Sequence, residues 1–131
     1  MKKDIEIPIA KQVYVAVVLE WDKEFLSKEW SAYLVNERFT AIDMALVVSK
    51  GYDKERKTTT MRHNVGLVES KSFQKFELMM DAIFALNNEF FITFFADNKM
   101  YERKIVFEKD SINEKNVVTI PLLEKEGILG K

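Results

Sequence analysis

An apolar run without polar alternation is the feature that most constrains how this chain can fold. Residues 13–19 read Val-Tyr-Val-Ala-Val-Val-Leu. Such a run is typical of a strand covered on both faces, because a strand with one wet face alternates apolar and polar residues. The stretches 44–48 and 90–95 are also apolar on both faces. We therefore expect more apolar strand surface than one contact between two sheets can cover.

Turn signals divide the rest of the chain into further short segments. Strands are predicted where β-branched and aromatic residues recur, at 30–35, 42–48, 58–63, 101–107 and 117–122. In 42–48, Ile42, Met44, Leu46 and Val48 are predicted on one face, and Asp43, Ala45, Val47 and Ser49 on the other.

The connections between these strands have their own signals. The charged stretch 20–29 is predicted to be a loop, and 51–57 a polar turn. Asp97 and Asn98 tolerate left-handed backbone angles, so 96–99 is predicted to be the turn of a hairpin. Pro121 favours an edge position for 117–122.

The segment 72–88 fits two structures. Phe73, Phe76, Met80 and Phe84 lie at the spacing of a helical stripe, with Ser72 as its N-cap. Residues 73–80 also alternate as a strand would. We favour a strand over 73–80 followed by a short helical turn at 81–86, and a helix over the whole segment is the alternative.

Together these elements predict an all-β protein. The expected fold is an immunoglobulin-like antiparallel β-sandwich of about seven to eight strands, with at most one short helix. Residues 1–131 are expected to form a single domain. Because the tail 124–131 carries two glycines, we expect it to fray.

Charge and composition exclude several classes of function. The chain has 20 basic and 21 acidic residues, so it lacks the basic surplus that nucleic-acid binding usually needs. It has no cysteine, which excludes disulfides and thiolate sites. No stretch approaches the length of a membrane span, and the first residues lack the apolar core of a signal peptide. We expect a cytoplasmic protein that binds neither nucleic acid nor membrane.

No catalytic, metal or cofactor site is predicted. His63 is the only histidine, no Gly-X-Ser-X-Gly motif accompanies it, and Arg62 beside it opposes proton acceptance. Asp53 and Glu55 alternate with basic residues that compensate their charges without a cation. The four glycines are isolated and form no phosphate-binding loop.

The surplus of apolar strand surface suggests a role in association. The covering element could be the 73–86 segment, a second subunit, or the loop that carries Trp21, Phe25 and Trp30. These three aromatic residues form the predicted interaction surface. The leading hypothesis is a non-enzymatic protein-interaction module that forms a homodimer. A barrel that binds a small lipophilic ligand is the alternative, and an enzyme using His63 comes third.

Four stretches resemble a small family of bacterial proteins without an assigned chemistry: "YLVN" (33–36), "LVVSKGYD" (46–53), "MRHNVG" (61–66) and "FFITFFADNKMYERKIVFE" (90–108). Some of these proteins carry the label phenylalanyl-tRNA synthetase subunit alpha. This sequence does not support that label, because a synthetase catalytic domain needs a much longer chain with arginine-bearing ATP motifs. The resemblance implies a compact domain and transfers no functional residue.

Overall fold

The computed structural model describes residues 11–131. In this part of the chain, nine strands follow one another, and their bounds are β1 (Val13–Asp22), β2 (Ser27–Asn36), β3 (Ile42–Tyr52), β4 (Met61–Val68), β5 (Ser72–Met79), β6 (Asn87–Ala96), β7 (Lys99–Phe107), β8 (Val118–Ile120) and β9 (Lys125–Leu129). Two 3-10 turns, Asp81–Ile83 and Glu114–Asn116, are the only helical segments among the described residues. None of these helical segments is long and apolar enough to cross a membrane.

The strands form two antiparallel sheets that pack as a sandwich. One sheet has five strands in the order β5-β2-β1-β9-β8, and the other has four in the order β4-β3-β6-β7. The predicted all-β sandwich is confirmed, although residues 11–131 form nine strands rather than about seven or eight. The sheets remain separate and do not close into a barrel in the described part.

Large apolar side chains fill the space between the sheets. Phe90, Phe94 and Phe107 are fully buried there, together with Leu34 and Ile42. Phe90 contacts Phe107 edge to face, with ring centroids 5.6 Å apart. Each such side chain stabilises the fold by about 1.5–3 kcal/mol relative to an exposed position.

The predicted loop at 20–29 is mostly strand. β1 continues to Asp22 and β2 begins at Ser27, so only a tight turn separates them. Asp22 Oδ1 accepts hydrogen bonds from the backbone N–H groups of Glu24 and Phe25, which stabilises this turn. The charged residues lie on the β1–β2 hairpin, where water reaches both faces of the strands. Charged side chains are therefore compatible with strand structure here.

The ambiguous segment is a strand followed by a turn, as favoured. β5 pairs with β2 along Trp30–Asn36. The 3-10 turn at Asp81–Ile83 follows, and no long helix forms. A register shift between Ala32 and Tyr33 leaves Phe76 as an extra residue of β5.

A bulge in β3 changes the predicted alternation. The register with β4 shifts between Ile42 and Ala45. Met44 has a φ of 51° and is 66% exposed. As a result, Ile42 shares the core with Ala45 and Val47, rather than the outer face with Met44. The extra residue of the bulge is the reason that a simple period of two is wrong here.

The tail expected to fray is instead built into the five-stranded sheet. β9 pairs with both β1 and β8, and the backbone of Lys131 exchanges two hydrogen bonds with Val106 of β7. Gly127 allows this pairing, because a Cβ atom there would lie 2.6 Å from the Val17 carbonyl oxygen. The strand predicted at 117–122 is at an edge, as expected, since β8 ends the sheet, but Pro121 follows this strand rather than lying within it.

The C-terminal hairpin explains the apolar run at 13–19. Val13, Val15 and Val17 belong to the core between the sheets. Ala16 and Val18 point away from that core and form a second buried cluster with Tyr33, Val35, Ile120 and Leu123. The hairpin β8–β9 and its turn therefore cover the second face of this run.

Candidate functional site

Three polar side chains meet on one open side of the sandwich, and we call them the edge cluster: Ser49, His63 and Glu77. His63 Nε2 lies 2.7 Å from Glu77 Oε1. Ser49 Oγ donates a hydrogen bond to the same oxygen at 2.9 Å and lies 3.5 Å from His63 Nε2. The side chains of His63 and Glu77 are 14% and 10% exposed.

The fold positions these residues through three strands. Ser49 lies on β3, His63 on the edge strand β4, and Glu77 on the edge strand β5 of the other sheet. The His63 ring packs against Phe76, with ring centroids 5.0 Å apart. The side chains of the edge cluster therefore connect edge strand β4 of one sheet with edge strand β5 of the other. The backbones of these two strands do not pair.

The sequence singled out His63 but not its partners. Ser49 continues the inward alternation of Ala45 and Val47, and Glu77 lies opposite the buried Ala32. Neither inward position was recognisable from the sequence, because register shifts in β3 and β5 set which of their residues face the core. Their meeting depends on strand order between sheets, which a single sequence does not contain.

The edge cluster does not have the geometry of a catalytic triad. In a triad, the histidine binds the nucleophile through one ring nitrogen and the carboxylate through the other. Here Ser49 and Glu77 both face Nε2, and the Ser49 hydroxyl donates to Glu77 rather than to His63. The arrangement is suited to holding two edges together, not to activating Ser49.

A cavity of about 170 Å³ lies beside the edge cluster, and we call it the edge cavity. Ser49 and Glu77 form part of its wall, and Phe90, Ile83 and Met61 contribute apolar surface. Asn88, which is almost completely buried, also borders the cavity. The cavity thus combines polar acceptors with apolar walls.

The outward side of the four-stranded sheet is the second candidate. Across it run two rows of paired residues, Arg62–Val48–Phe91–Lys104 and Asn64–Leu46–Thr93–Glu102. We call the central residues Leu46, Val48, Phe91 and Thr93 the outer sheet face. Toward one end of this face, Phe95 is 43% exposed and pairs with Met100.

Charges of both signs surround the outer sheet face. Arg62 and Lys104 end one row, Glu102 ends the other, and the Lys50 ammonium lies 3.6 Å from the Glu89 carboxylate. An apolar centre with a polar rim is characteristic of protein-binding surfaces. Unlike the outer side of β1, this centre is not covered by any described element, because the C-terminal hairpin lies on the other sheet.

The three aromatic residues of the predicted interaction surface do not come together. Trp21 and Phe25 are 59% and 51% exposed at the β1–β2 hairpin. Trp30 is buried in the core, where its ring contacts Phe84 edge to face at 6.0 Å. It therefore cannot contribute to a surface, because β2 directs its even-numbered residues 30, 32 and 34 between the sheets.

The 51–57 turn is held by its own side chains. Asp53 accepts two hydrogen bonds from the Arg56 guanidinium and two from backbone N–H groups of the turn. The Arg56 guanidinium and these N–H groups lower the pKa of Asp53 to about 2. Within residues 11–131, no cluster of three or more His, Asp or Glu side chains is arranged to hold a metal ion.

No family model, curated protein or solved structure matches the chain. Any functional inference therefore rests on the geometry of the edge cluster, the edge cavity and the outer sheet face.

Proposed function

We propose that this protein is a non-enzymatic protein-interaction module, which binds through the outer sheet face and pairs there with a second copy of itself. The observation that carries the proposal is the difference between the two sheets. In the five-stranded sheet, the outer side of β1 is covered at Ala16 and Val18 by Ile120 and Leu123 of the β8–β9 hairpin. The four-stranded sheet leaves Leu46, Val48 and Phe91 at its outer surface, only partly buried by their neighbours.

The charges around the outer sheet face favour a second copy as the partner. In a two-fold interface the same patch meets itself, so it must carry both signs in complementary places. The row that ends in Arg62 and Lys104 lies directly beside the row that ends in Glu102. A two-fold rotation can therefore place cations opposite anions. The net charge of −1 opposes self-association only weakly.

The geometry of the edge cluster supports a protein without catalytic activity. Ser49 is not activated by His63, because its hydroxyl hydrogen is directed to Glu77. The proposal also places the module in the cytoplasm, since a chain without cysteine needs no oxidising compartment for its stability.

We also infer that the sandwich is a variant of the immunoglobulin fold. β1, β2 and β5 follow the order of its strands A, B and E, and β3, β6 and β7 follow the order of C, F and G. In this variant β4 pairs with β3 rather than with β5, and β8–β9 extends the sheet beyond β1. Interstrand NOEs from Val47 to both His63 and Ile92 would support this order.

The dimer is tested by sedimentation equilibrium over a concentration series. The wild-type protein should change from monomer to dimer as its concentration rises through the micromolar range. Phe91→Lys should remain monomeric, because a two-fold interface would bring two buried ammonium groups together. Val118→Lys is the matched control, since Val118 is exposed on β8 at the far edge of the other sheet.

Val118→Lys should dimerise as the wild type does. A wild-type protein that stays monomeric at high micromolar concentration would overturn the pairing. So would a Phe91→Lys protein that dimerises with unchanged affinity.

A further inference from the structure

We infer that the edge cavity is a binding site for a small organic ammonium ion. The site is separate from the outer sheet face, because Ser49 and Phe90 face between the sheets while Val48 and Phe91 face outward. The inference therefore stands independently of the proposed dimer.

The first support is the surplus of acceptors around the cavity. Glu77 Oε1 accepts both the Ser49 and His63 hydrogen bonds, and within the described residues Oε2 accepts none. The Glu77 side chain is nine-tenths buried, yet Oε2 is not one of the buried atoms without a partner, so this oxygen is accessible to a ligand. A carboxylate oxygen with unused lone pairs at a cavity wall calls for a donor inside the cavity.

Asn88 adds a second acceptor. Its amide NH₂ donates to the carbonyl oxygens of Ile83 and Leu86, at 2.9 Å and 3.1 Å. These two bonds fix the orientation of the amide and leave Oδ1 as its free end. Oδ1 would lie 3.5 Å from a Cβ atom on Gly51, which itself borders the cavity.

Most donors around the cavity are already used. The Ser49 hydroxyl donates to Glu77, the Thr58 hydroxyl to the Thr59 carbonyl, and the Gly51 N–H to Thr58 Oγ1. The Lys50 ammonium pairs with Glu89 on the outer side of the sheet. Apart from the exposed Thr59 hydroxyl, the free polar groups of the wall are acceptors, so a ligand that supplies hydrogens fits them better than an anion does.

The charge and shape of the cavity favour an ammonium ion over a neutral donor. An ammonium ion close to the Glu77 carboxylate gains a charge-assisted hydrogen bond, which a neutral donor cannot form as strongly. Phe90, Ile83 and Met61 give the cavity an apolar wall suited to a short alkyl chain. A volume of about 170 Å³ exceeds the roughly 30 Å³ of one water molecule and admits only a small ligand.

Gly51 keeps the cavity open. A Cβ atom at this position would lie 3.0 Å from Thr58 Cγ2, in the cavity wall, and 3.3 Å from Leu86 Cδ1. An alanine here therefore narrows the site while all the polar groups of the edge cluster remain in place.

The test is an NMR titration of the full chain with ethylammonium chloride. Ethanol and potassium acetate serve as neutral and anionic probes, at matched pH and ionic strength. Ethylammonium should cause saturable amide shifts at Gly51, Thr58 and Asn88 with a millimolar dissociation constant. Ethanol should bind at least about tenfold more weakly, and acetate should cause no saturable shift.

Two variants and one control decide the outcome. Glu77→Gln should weaken ethylammonium binding at least about tenfold, since it removes the charge and keeps the side-chain shape. Glu126→Gln, on the exposed surface of β9, should bind as the wild type does. Gly51→Ala should also weaken binding, and it decides the question alone if Glu77→Gln fails to fold.

The inference is overturned by any of three results. These are no saturable shift with ethylammonium, ethanol binding as tightly as ethylammonium, and Gly51→Ala or a folded Glu77→Gln binding with unchanged affinity.

Discussion

The Tyr33 hydroxyl donates a hydrogen bond to Glu20 Oε2 at 2.6 Å, on the outer side of the five-stranded sheet. The Lys125 ammonium donates to the other oxygen of the same carboxylate at 2.6 Å, and Lys75 Nζ lies 3.5 Å from Oε2. The four residues belong to β1, β2, β9 and β5. A single carboxylate therefore connects four strands of one sheet.

We expect the contribution of Glu20 to stability to disappear in acid. Burial alone would raise the pKa of Glu20. Hydrogen bonds from Lys125 and Tyr33, together with the charges of Lys125 and Lys75, outweigh this effect, so the pKa lies below its usual value. Because the pKa is lower in the folded state, the ionised carboxylate stabilises the fold above the unfolded pKa. This stability is lost as the pH falls through the folded pKa.

Glu20→Gln should lower the free energy of unfolding by about 1–2 kcal/mol at pH 7, and its difference from the wild type should shrink below about pH 4. Urea unfolding at pH 7, 5 and 3 measures both quantities. Glu126→Gln, with its side chain exposed on β9, is the control. A difference that is the same at all three pH values would show that the charge of Glu20 is not involved.

The hydrogen bonds of the edge cluster should stabilise the fold cooperatively, so that the effects of removing them are not additive. His63→Leu leaves the nine-tenths buried Glu77 with only the Ser49 hydrogen bond, and should lower the free energy of unfolding by about 1–3 kcal/mol. Glu77→Leu should have a similar cost, since it leaves His63 Nε2 with only Ser49 Oγ, 3.5 Å away. The double variant should lose clearly less than the sum.

A double-mutant cycle from urea unfolding measures this coupling. Replacing the exposed neighbours Arg62 and Gln74 in the same way gives a control pair, one residue from each edge strand. Strict additivity for His63 and Glu77 would mean that their 2.7 Å contact contributes nothing to joining the sheets.

Gly127→Ala should be strongly destabilising. Its Cβ atom would lie 2.6 Å from the Val17 carbonyl oxygen, and a backbone atom cannot move away without disturbing the β1–β9 pairing. We expect a loss of about 2–4 kcal/mol, within the range for steric conflicts in well-packed interiors. The melting temperature measured by circular dichroism is the readout.

The neighbouring substitution Glu126→Ala is the control for Gly127→Ala, because Glu126 is exposed on the same strand. It should change stability by no more than about 0.5 kcal/mol. Equal melting temperatures for the two variants would contradict the close approach of β9 to β1.

Met44→Gly should stabilise the protein or leave it unchanged, although glycine normally weakens a strand. Met44 has a φ of 51°, in the left-handed region that glycine adopts without a steric cost, and its side chain is mostly exposed. Lys50→Gly, at an exposed position of the same strand, is the control and should cost about 1 kcal/mol. Equal losses from the two substitutions would show that the bulge carries no strain at Met44.

Local patterns predicted most strands correctly, but few of their partners. The hairpin at 96–99 follows from Asp97 and Asn98, which both adopt positive φ angles as their side chains allow. The bulge at Met44 was not predictable, since a methionine carries no signal for a left-handed conformation. It shifted the inward face of β3 by one residue, and this shift is what turned Ser49 toward the core.

The edge cluster was predictable only in its parts. His63 was evident from the sequence, but the inward positions of Ser49 and Glu77 were not, because the register shifts in β3 and β5 that set them leave no sequence signal. Their meeting requires β4 and β5, close in the chain, to belong to different sheets. Similarly, the glycines of 124–131 suggested fraying, whereas Gly127 is needed because β9 passes so close to Val17. Glycine occurs both where backbones pack closely and where a chain is flexible. Only the folded structure shows which of the two applies at a given position.

The pairing of β1 with β9 has a consequence for synthesis on the ribosome. β1 leaves the exit tunnel first among the described strands, and β9 leaves last. Until then, the β1 edge presents free N–H and C=O groups beside Ala16 and Val18, whose apolar cover has not yet been made. Such an edge is a template for pairing between nascent chains on one messenger RNA. Efficient production of this protein should therefore depend on chaperones that bind extended apolar segments, more than the stability of the finished fold suggests.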